Sequence, residues 1–154
     1  LRVGELVGVR VDAIDGERKL LRIEQGKGAK DRLVLIAPVL LERLRGYWCD
    51  FRPESWLFFN PRHPDEALSI SAAQRAYGKA KRLAGVEREG GIHALRHAYA
   101  THQLESGLPV HQLQKLLGHR NLASTLRYVH WVPDAQRGTR GHADLIGELE
   151  VGDE

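Results

Sequence analysis

The sequence predicts an α+β protein, mainly helical, with a small antiparallel β-sheet near the N-terminus. Two observations carry this expectation. Two β-rich runs, Leu20–Glu24 and Arg32–Ile36, flank a segment containing Gly26, Lys27, Gly28 and Lys30, which is the pattern of a hairpin. In the second half, apolar residues recur at helical spacing between helix-starting and helix-stopping residues.

The elements follow in order. "LRVGELVGV" interleaves Leu1, Leu6 and Val9 with polar residues, as in a helix whose beginning is cut off. After the hairpin, Pro38 opens a helix with apolar residues at Leu40, Leu41, Leu44, Tyr47 and Trp48. A loop containing Pro53, Pro61 and Pro64 leads to a half expected to be entirely helical. There, Ser71-Ala-Ala-Gln74 reads as a capping box, with Ala73, Tyr77 and Ala80 recurring behind it. A helix over 92–106 is stopped by Gly107, with Pro109 close behind. Val110, Leu113 and Leu117 line a short helix ended by Gly118. Asn121 can cap a last helix with Leu122, Leu126 and Val129 on one face. Tyr128 lies roughly 100° or more around that helix from Leu126 and Val129, so it need not enter the same core.

Size and composition narrow the function classes. With 154 residues, 42% of them hydrophobic, the chain can build one core without disulfide or metal staples. Its single cysteine, Cys49, excludes an internal disulfide framework and fits a reducing, cytoplasmic setting. No apolar run reaches the roughly 18 residues of a membrane span, and no signal peptide opens the chain. The absence of methionine and the start at Leu1 are expected of a piece of a longer protein. Charge is uneven. Residues 75–127 carry nine Lys/Arg against three acids, while Pro133 to Glu154 holds two arginines against six acids. A basic body points to a polyanionic partner such as nucleic acid.

Three clusters could carry chemistry. His93, Arg96 and His97 share a helical face. Histidines at i and i+4 have metal-ligand spacing, but Ala94 stands where zinc proteases need glutamate, and Arg96 would repel a cation between the ligands. An anion site fits better, since a guanidinium fork matches phosphate oxygens and histidine can move a proton. The bland alternative is a set of satisfied helix-face residues with His97 and His102 partly buried. In "QGKGAKDR", Lys27 projects between glycines; the spacing is not that of a P-loop, and a solvated turn lysine is the competing reading. In "LLGHRNLASTLRYVHW", His119 follows a helix-stopping glycine, and Tyr128 comes nine residues later.

Taken together, "LRVGEL", "GKGAKDRLVLI", "HALRHAYATHQLESG" and "LLGHRNLASTLRYVH" resemble, in order and spacing, the signature blocks of the tyrosine recombinase (phage integrase-like) catalytic domain. The resemblance spans about residues 1–131, with 132–154 left as an acidic tail, either unstructured or a short helix docking in cis or trans. It implies a phosphotransfer site. Arg2 and Arg96 would clamp the scissile phosphate, and Lys27 would protonate the leaving 5′ oxygen. His93 would do acid–base work, His119 would hydrogen-bond the phosphate, and Tyr128 would attack it. Glu5 would support Arg2. The remaining tyrosines, Tyr47, Tyr77 and Tyr99, are expected to be packing residues.

The resemblance further implies site-specific cleavage and rejoining of double-stranded DNA through a 3′-phosphotyrosyl link, without cofactor or metal. It implies self-association into dimers or tetramers on DNA. It also implies that the upstream core-binding domain of the family is missing, so that this piece binds DNA weakly and with strong salt dependence. Gly4 stands where the family often has serine, a change expected to be harmless. Two alternatives remain open at this stage: relaxation of DNA in the manner of a type IB topoisomerase, and a non-catalytic DNA-binding module of the same fold.

Overall fold

A computed structural model describes residues 1–24 and 31–130. Lys27 and the acidic tail therefore lie outside the described residues. Helix α1, Val3–Val7, ends at Gly8, and Val9 passes into a buried extended link beside Leu57. A 3₁₀ turn, Val11–Ala13, leads into strand β1, Ile14–Asp15. Strands β2, Leu20–Ile23, and β3, Arg32–Leu35, complete an antiparallel sheet in the order β1-β2-β3. The expected hairpin is present, with Leu21 facing Val34 and Ile23 facing Arg32.

Helix α2, Pro38–Phe51, starts with proline at its first position, where the missing N–H costs nothing. Its apolar face buries Leu41, while Trp48 stays 40% exposed beneath the Arg52 guanidinium. Tyr47 stacks on Phe51 and tilts against Phe58.

The proline-containing segment differs from the expected loop. Phe59–Asn60 (β4) and His63–Ala67 (β5) form a second hairpin, with Pro61 in its turn. A two-stranded ribbon has only edges, so Pro64 on β5 removes no bond from a sheet interior.

Helix α3, Ile70–Leu83, is capped by Ser69, whose Oγ accepts from the Ala72 N–H at 3.2 Å. Ser71 was the expected cap but lies inside the first turn. Either serine precedes the apolar run, and the backbone of Ser69, extended at φ −72° and ψ 149°, decides between them. Of the expected face, Ala73 is buried and Tyr77 half-buried, but Ala80 is exposed.

Helices α4, His93–Glu105, α5, Val110–Leu117, and α6, Ala123–Val129, build the main apolar cluster. Ala100, Leu104, Leu108, Leu113 and Leu117 form its centre, with Tyr99, Val110, Leu116, Tyr128 and Val129 packed around them. Gly107, at φ +89°, turns the chain out of α4 so that Leu108 re-enters this core.

The face of α6 is not the expected one. Leu122 and Leu126 are 42% and 43% exposed, whereas Thr125 is fully buried and Tyr128 and Val129 pack inward. Thr125, Tyr128 and Val129 are i, i+3, i+4, a proper helical stripe. It was obscured because two of its members carry hydroxyls.

Candidate active site

The site forms around the end of α5. Gly118 sits at φ +64°, ψ 43°, the left-handed conformation that glycine adopts at little cost. Its N–H bonds the Lys115 carbonyl at 3.1 Å and the His119 N–H bonds that of Gln114 at 3.1 Å, which reverses the chain sharply. The last carbonyls of a helix lack intrahelical partners and carry partial negative charge. Here three successive ones receive arginines from three other elements. Arg32 Nε donates to Leu116 O at 3.2 Å, Arg96 Nη2 to Leu117 O at 2.6 Å, and Arg2 Nη2 to Gly118 O at 3.1 Å.

Arg96, on the first turn of α4, also directs Nη2 at His119 Nε2, 3.1 Å away. A guanidinium only donates, so Nε2 must be the acceptor and the imidazole proton is assigned to Nδ1. Nδ1–H then donates to Thr125 Oγ1 at 2.8 Å. His119 is therefore held neutral. Burial, followed by the charges of Arg96, Arg2, Arg127 and Arg32, pulls its pKa down to about 4. Gln114 Nε2 donates to the His119 carbonyl at 3.1 Å and fixes the turn from behind.

Burial lowers the Arg96 pKa and the Arg2 charge lowers it further, while Glu5 and Tyr128 oppose both. Its Nη1 is buried without an acceptor among the described residues. Such a nitrogen is costly to keep and is relieved by an anion.

Arg2 is held by Glu5. One carboxylate oxygen accepts from the Arg2 backbone N–H at 2.6 Å, and the other from Nη1 at 3.0 Å. Burial would raise the Glu5 pKa, but hydrogen bonds from Arg32 and Arg2 and both positive charges bring it down to about 2. His93, at the start of α4, lines a cleft of about 250 Å³ with Arg2 and Arg96. The Tyr128 ring lies nearly parallel to His119, centroids 6.2 Å apart, and tilts against His97 at 5.2 Å.

Arg2, Glu5, Arg96, His119 and Tyr128 are thus linked around the C-terminal end of α5, while His93 joins them only through the cleft it lines with Arg2 and Arg96, whose lining contains neither His119 nor Tyr128. His97 and His102 are both exposed rather than partly buried; His102 pairs with Glu105 at 2.9 Å. Tyr99 packs in the core and Tyr47 in an aromatic cluster, and burial raises the pKa of each. Sequence reasoning missed Thr125, Arg32, Gln114 and the contact of His97 with Tyr128. Arg32 leaves a faint trace, as an arginine at the head of the β-rich run RLVLI.

The phage integrase family matches residues 1–134, and the chain belongs to it. It is 45% identical over 148 residues to the integrase/recombinase-like protein y4qK of Sinorhizobium fredii, covering 95% of this chain and 47% of that protein. It is 36% identical over 151 residues to the tyrosine recombinase XerA of Thermococcus kodakarensis, covering 97% and 53%. The chain therefore spans about half the length of these relatives. Among solved structures, a XerA recombinase crystal structure superposes with a TM-score of 0.77 at 28% identity, covering 97% of this chain and 52% of that one. The XerH site-specific recombinase bound to a palindromic difH substrate superposes at 0.74 with 25% identity, covering 99% and 42%. The fold is that of tyrosine recombinase catalytic domains.

Proposed function

We propose that this chain cleaves and rejoins DNA strands as the catalytic part of a tyrosine-type site-specific recombinase. The observation that carries the reading is the convergence of two arginines from distant elements on the turn that presents His119, with Tyr128 stacked beside it.

In the proposed reaction the Tyr128 hydroxyl oxygen attacks the scissile phosphorus, and the bond from phosphorus to the 5′ oxygen breaks. The phenolic proton passes to a base, the role this reading gives to His93. The 5′ oxygen takes its proton from Lys27. Arg2 and Arg96 balance the charge that builds on the non-bridging oxygens, the main contribution a protein makes to phosphoryl transfer. A phenol of pKa near 10 is about 0.1% ionised at pH 7, so the surrounding positive charge matters to the attack as well.

The phosphotyrosyl link keeps the energy of the broken phosphodiester. Attack by a 5′ hydroxyl of the same or a partner strand reverses the step and frees Tyr128, with no nucleotide consumed. A phosphate entering between Arg96 and His119 would take over the Arg96 donor. His119 would then have a negative neighbour in place of a positive one, and protonation would let Nε2 donate to the phosphate.

Double-stranded DNA is the proposed partner. Exposed Arg75, Lys79, Arg82, Lys115, Arg120 and Arg127 support it, and the related XerH structure is bound to its difH substrate. Self-association on DNA and docking of 132–154 in cis or trans belong to the same proposal. The test is a nicked DNA substrate that traps the intermediate. A covalent protein–DNA adduct is expected, absent in Tyr128→Phe; an adduct that persists in that variant sinks the assignment of the nucleophile.

A further inference from the structure

We propose that Arg32 is a positioning residue for the anion site, setting both the guanidinium of Arg2 and the turn that carries His119. The inference rests on reading Arg2, Arg96 and His119 as that site.

The Arg32 side chain is only 10% exposed, on the inward register of β3 with Val34 and Ile36, while Leu33 and Leu35 face outward. A buried arginine needs its donors satisfied, and Arg32 uses three nitrogens to do so. Nη1 and Nη2 grip the Glu5 carboxylate at 3.1 and 2.8 Å, a fork-to-fork geometry that lysine cannot reproduce. Nε donates to Leu116 O at 3.2 Å.

The gripped carboxylate, itself 13% exposed, is the one that holds the Arg2 backbone N–H and Nη1. Arg2 Nη2 reaches Gly118 O, two residues beyond the carbonyl that Arg32 holds. The contacts close a ring: Arg32 to Glu5, Glu5 to Arg2, Arg2 to Gly118, and back along the backbone to Leu116 and Arg32. Opening the ring at Arg32 leaves Glu5 held by Arg2 alone, and leaves Arg2 free to turn its fork towards the carboxylate. It also loosens the α5 end from the sheet. Among the described residues Arg32 makes no hydrogen bond to His93, Arg96, His119 or Tyr128, so its effect on them passes through Arg2 and the turn.

The test uses Arg32→Gln and Arg32→Lys in this chain, with inorganic phosphate as the probe and carbon NMR to follow the Glu5 carboxyl. Arg32→Gln is expected to raise the Glu5 pKa towards the ordinary carboxylate range and to weaken phosphate binding about tenfold. Arg32→Lys, keeping charge but not the fork, falls between. In an Arg2→Ala background, Arg32→Gln costs less than in the wild-type chain, the remaining loss passing through the turn. Two results overturn the proposal: unchanged phosphate affinity in a folded Arg32→Gln chain, or an undiminished loss in the Arg2→Ala background, as a general packing defect would give. If Arg32→Gln does not fold, unchanged phosphate affinity in Arg32→Lys overturns it. If the wild-type chain binds no phosphate, the anion-site reading fails, and the Glu5 titration alone decides: an unmoved pKa in Arg32→Gln refutes the positioning role.

Discussion

The two halves of the molecule hold their site residues by different physics. Helices α4 to α6 share an apolar core in which Leu113 and Ala100 are fully buried and Leu117 almost so, and His93, Arg96, His119 and Tyr128 ride on these helices or their turns. The N-terminal part supplies Arg2, Glu5 and Arg32; the two arginines, tied together by the Glu5 carboxylate, donate to carbonyls at the end of α5. Apolar burial is non-directional and tolerates small shifts; hydrogen bonds lose strength once angle and distance drift. Each half therefore suits its task. The apolar core of the helices holds them together, and the polar seam provides the geometry of the anion site.

The largest expected effect breaks the comparison on the helical side. Leu113→Ala should cost about 2–5 kcal/mol in chemical denaturation, because the side chain is fully buried and its removal leaves a cavity that the surroundings fill only in part. A loss below about 1 kcal/mol would show that the α4 to α6 core is not close-packed around Leu113.

Thr125→Val probes the polar link at nearly constant volume. It leaves Nδ1–H of His119 without its acceptor and should cost about 1–3 kcal/mol. A neutral result would mean that the Thr125 hydroxyl does not hold His119.

Acid sharpens the contrast further, since it acts on the seam rather than on the core. His119 is held neutral with its pKa lowered to about 4, so its contribution is present above its ordinary pKa near 6.5 and fades as pH falls through 4. Glu5 is held ionised with its pKa near 2, so its contribution is present above about 4.5 and fades as pH falls through 2. Both lose stability on acidification, His119 first. Stability that stays flat from pH 7 to pH 4 would contradict the neutral assignment of His119.

A smaller effect is expected at Ser69, whose removal as helix cap in Ser69→Ala should cost about 1 kcal/mol. The smallest is at Leu126→Ser, within about 0.5 kcal/mol, because that side chain lies outside the core of α4 to α6. A larger loss there would place a further part of the molecule over the outer face of α6.

Much of the helical half was legible because its boundaries are written in local chemistry. Pro38, Gly107 and Gly118 act through their own backbone preferences, and each stands where an element begins or ends. The misreadings share one cause. Ser69 and Ser71 offer the same hydroxyl two residues apart, and only the backbone at Ser69 selects it. The prolines at 61 and 64 suggest a loop until a partner strand makes an edge that accepts them. On α6, counting apolar residues favoured Leu122 and Leu126, but the buried stripe is built on Thr125, whose hydroxyl is needed by His119.

The candidate site follows the same division. The resemblance of four blocks to the tyrosine recombinase family drew attention to Arg2, Glu5, Lys27, His93, Arg96, His119 and Tyr128, although nothing local says that Arg2 and Gly118 should meet. Arg32 was passed over because RLVLI is apolar on both faces of the strand, so its inward side could not be chosen.

By itself the sequence determined the residue types, the helix ends and the order of the polar groups, because propensities and spacing act over a few neighbouring residues. Only the tertiary structure decided that three arginines from three elements share the carbonyl end of one helix, and that His119 is neutral with its proton on Nδ1. Those outcomes depend on burial and on electrostatic partners far apart along the chain, and burial is a property of the assembled fold.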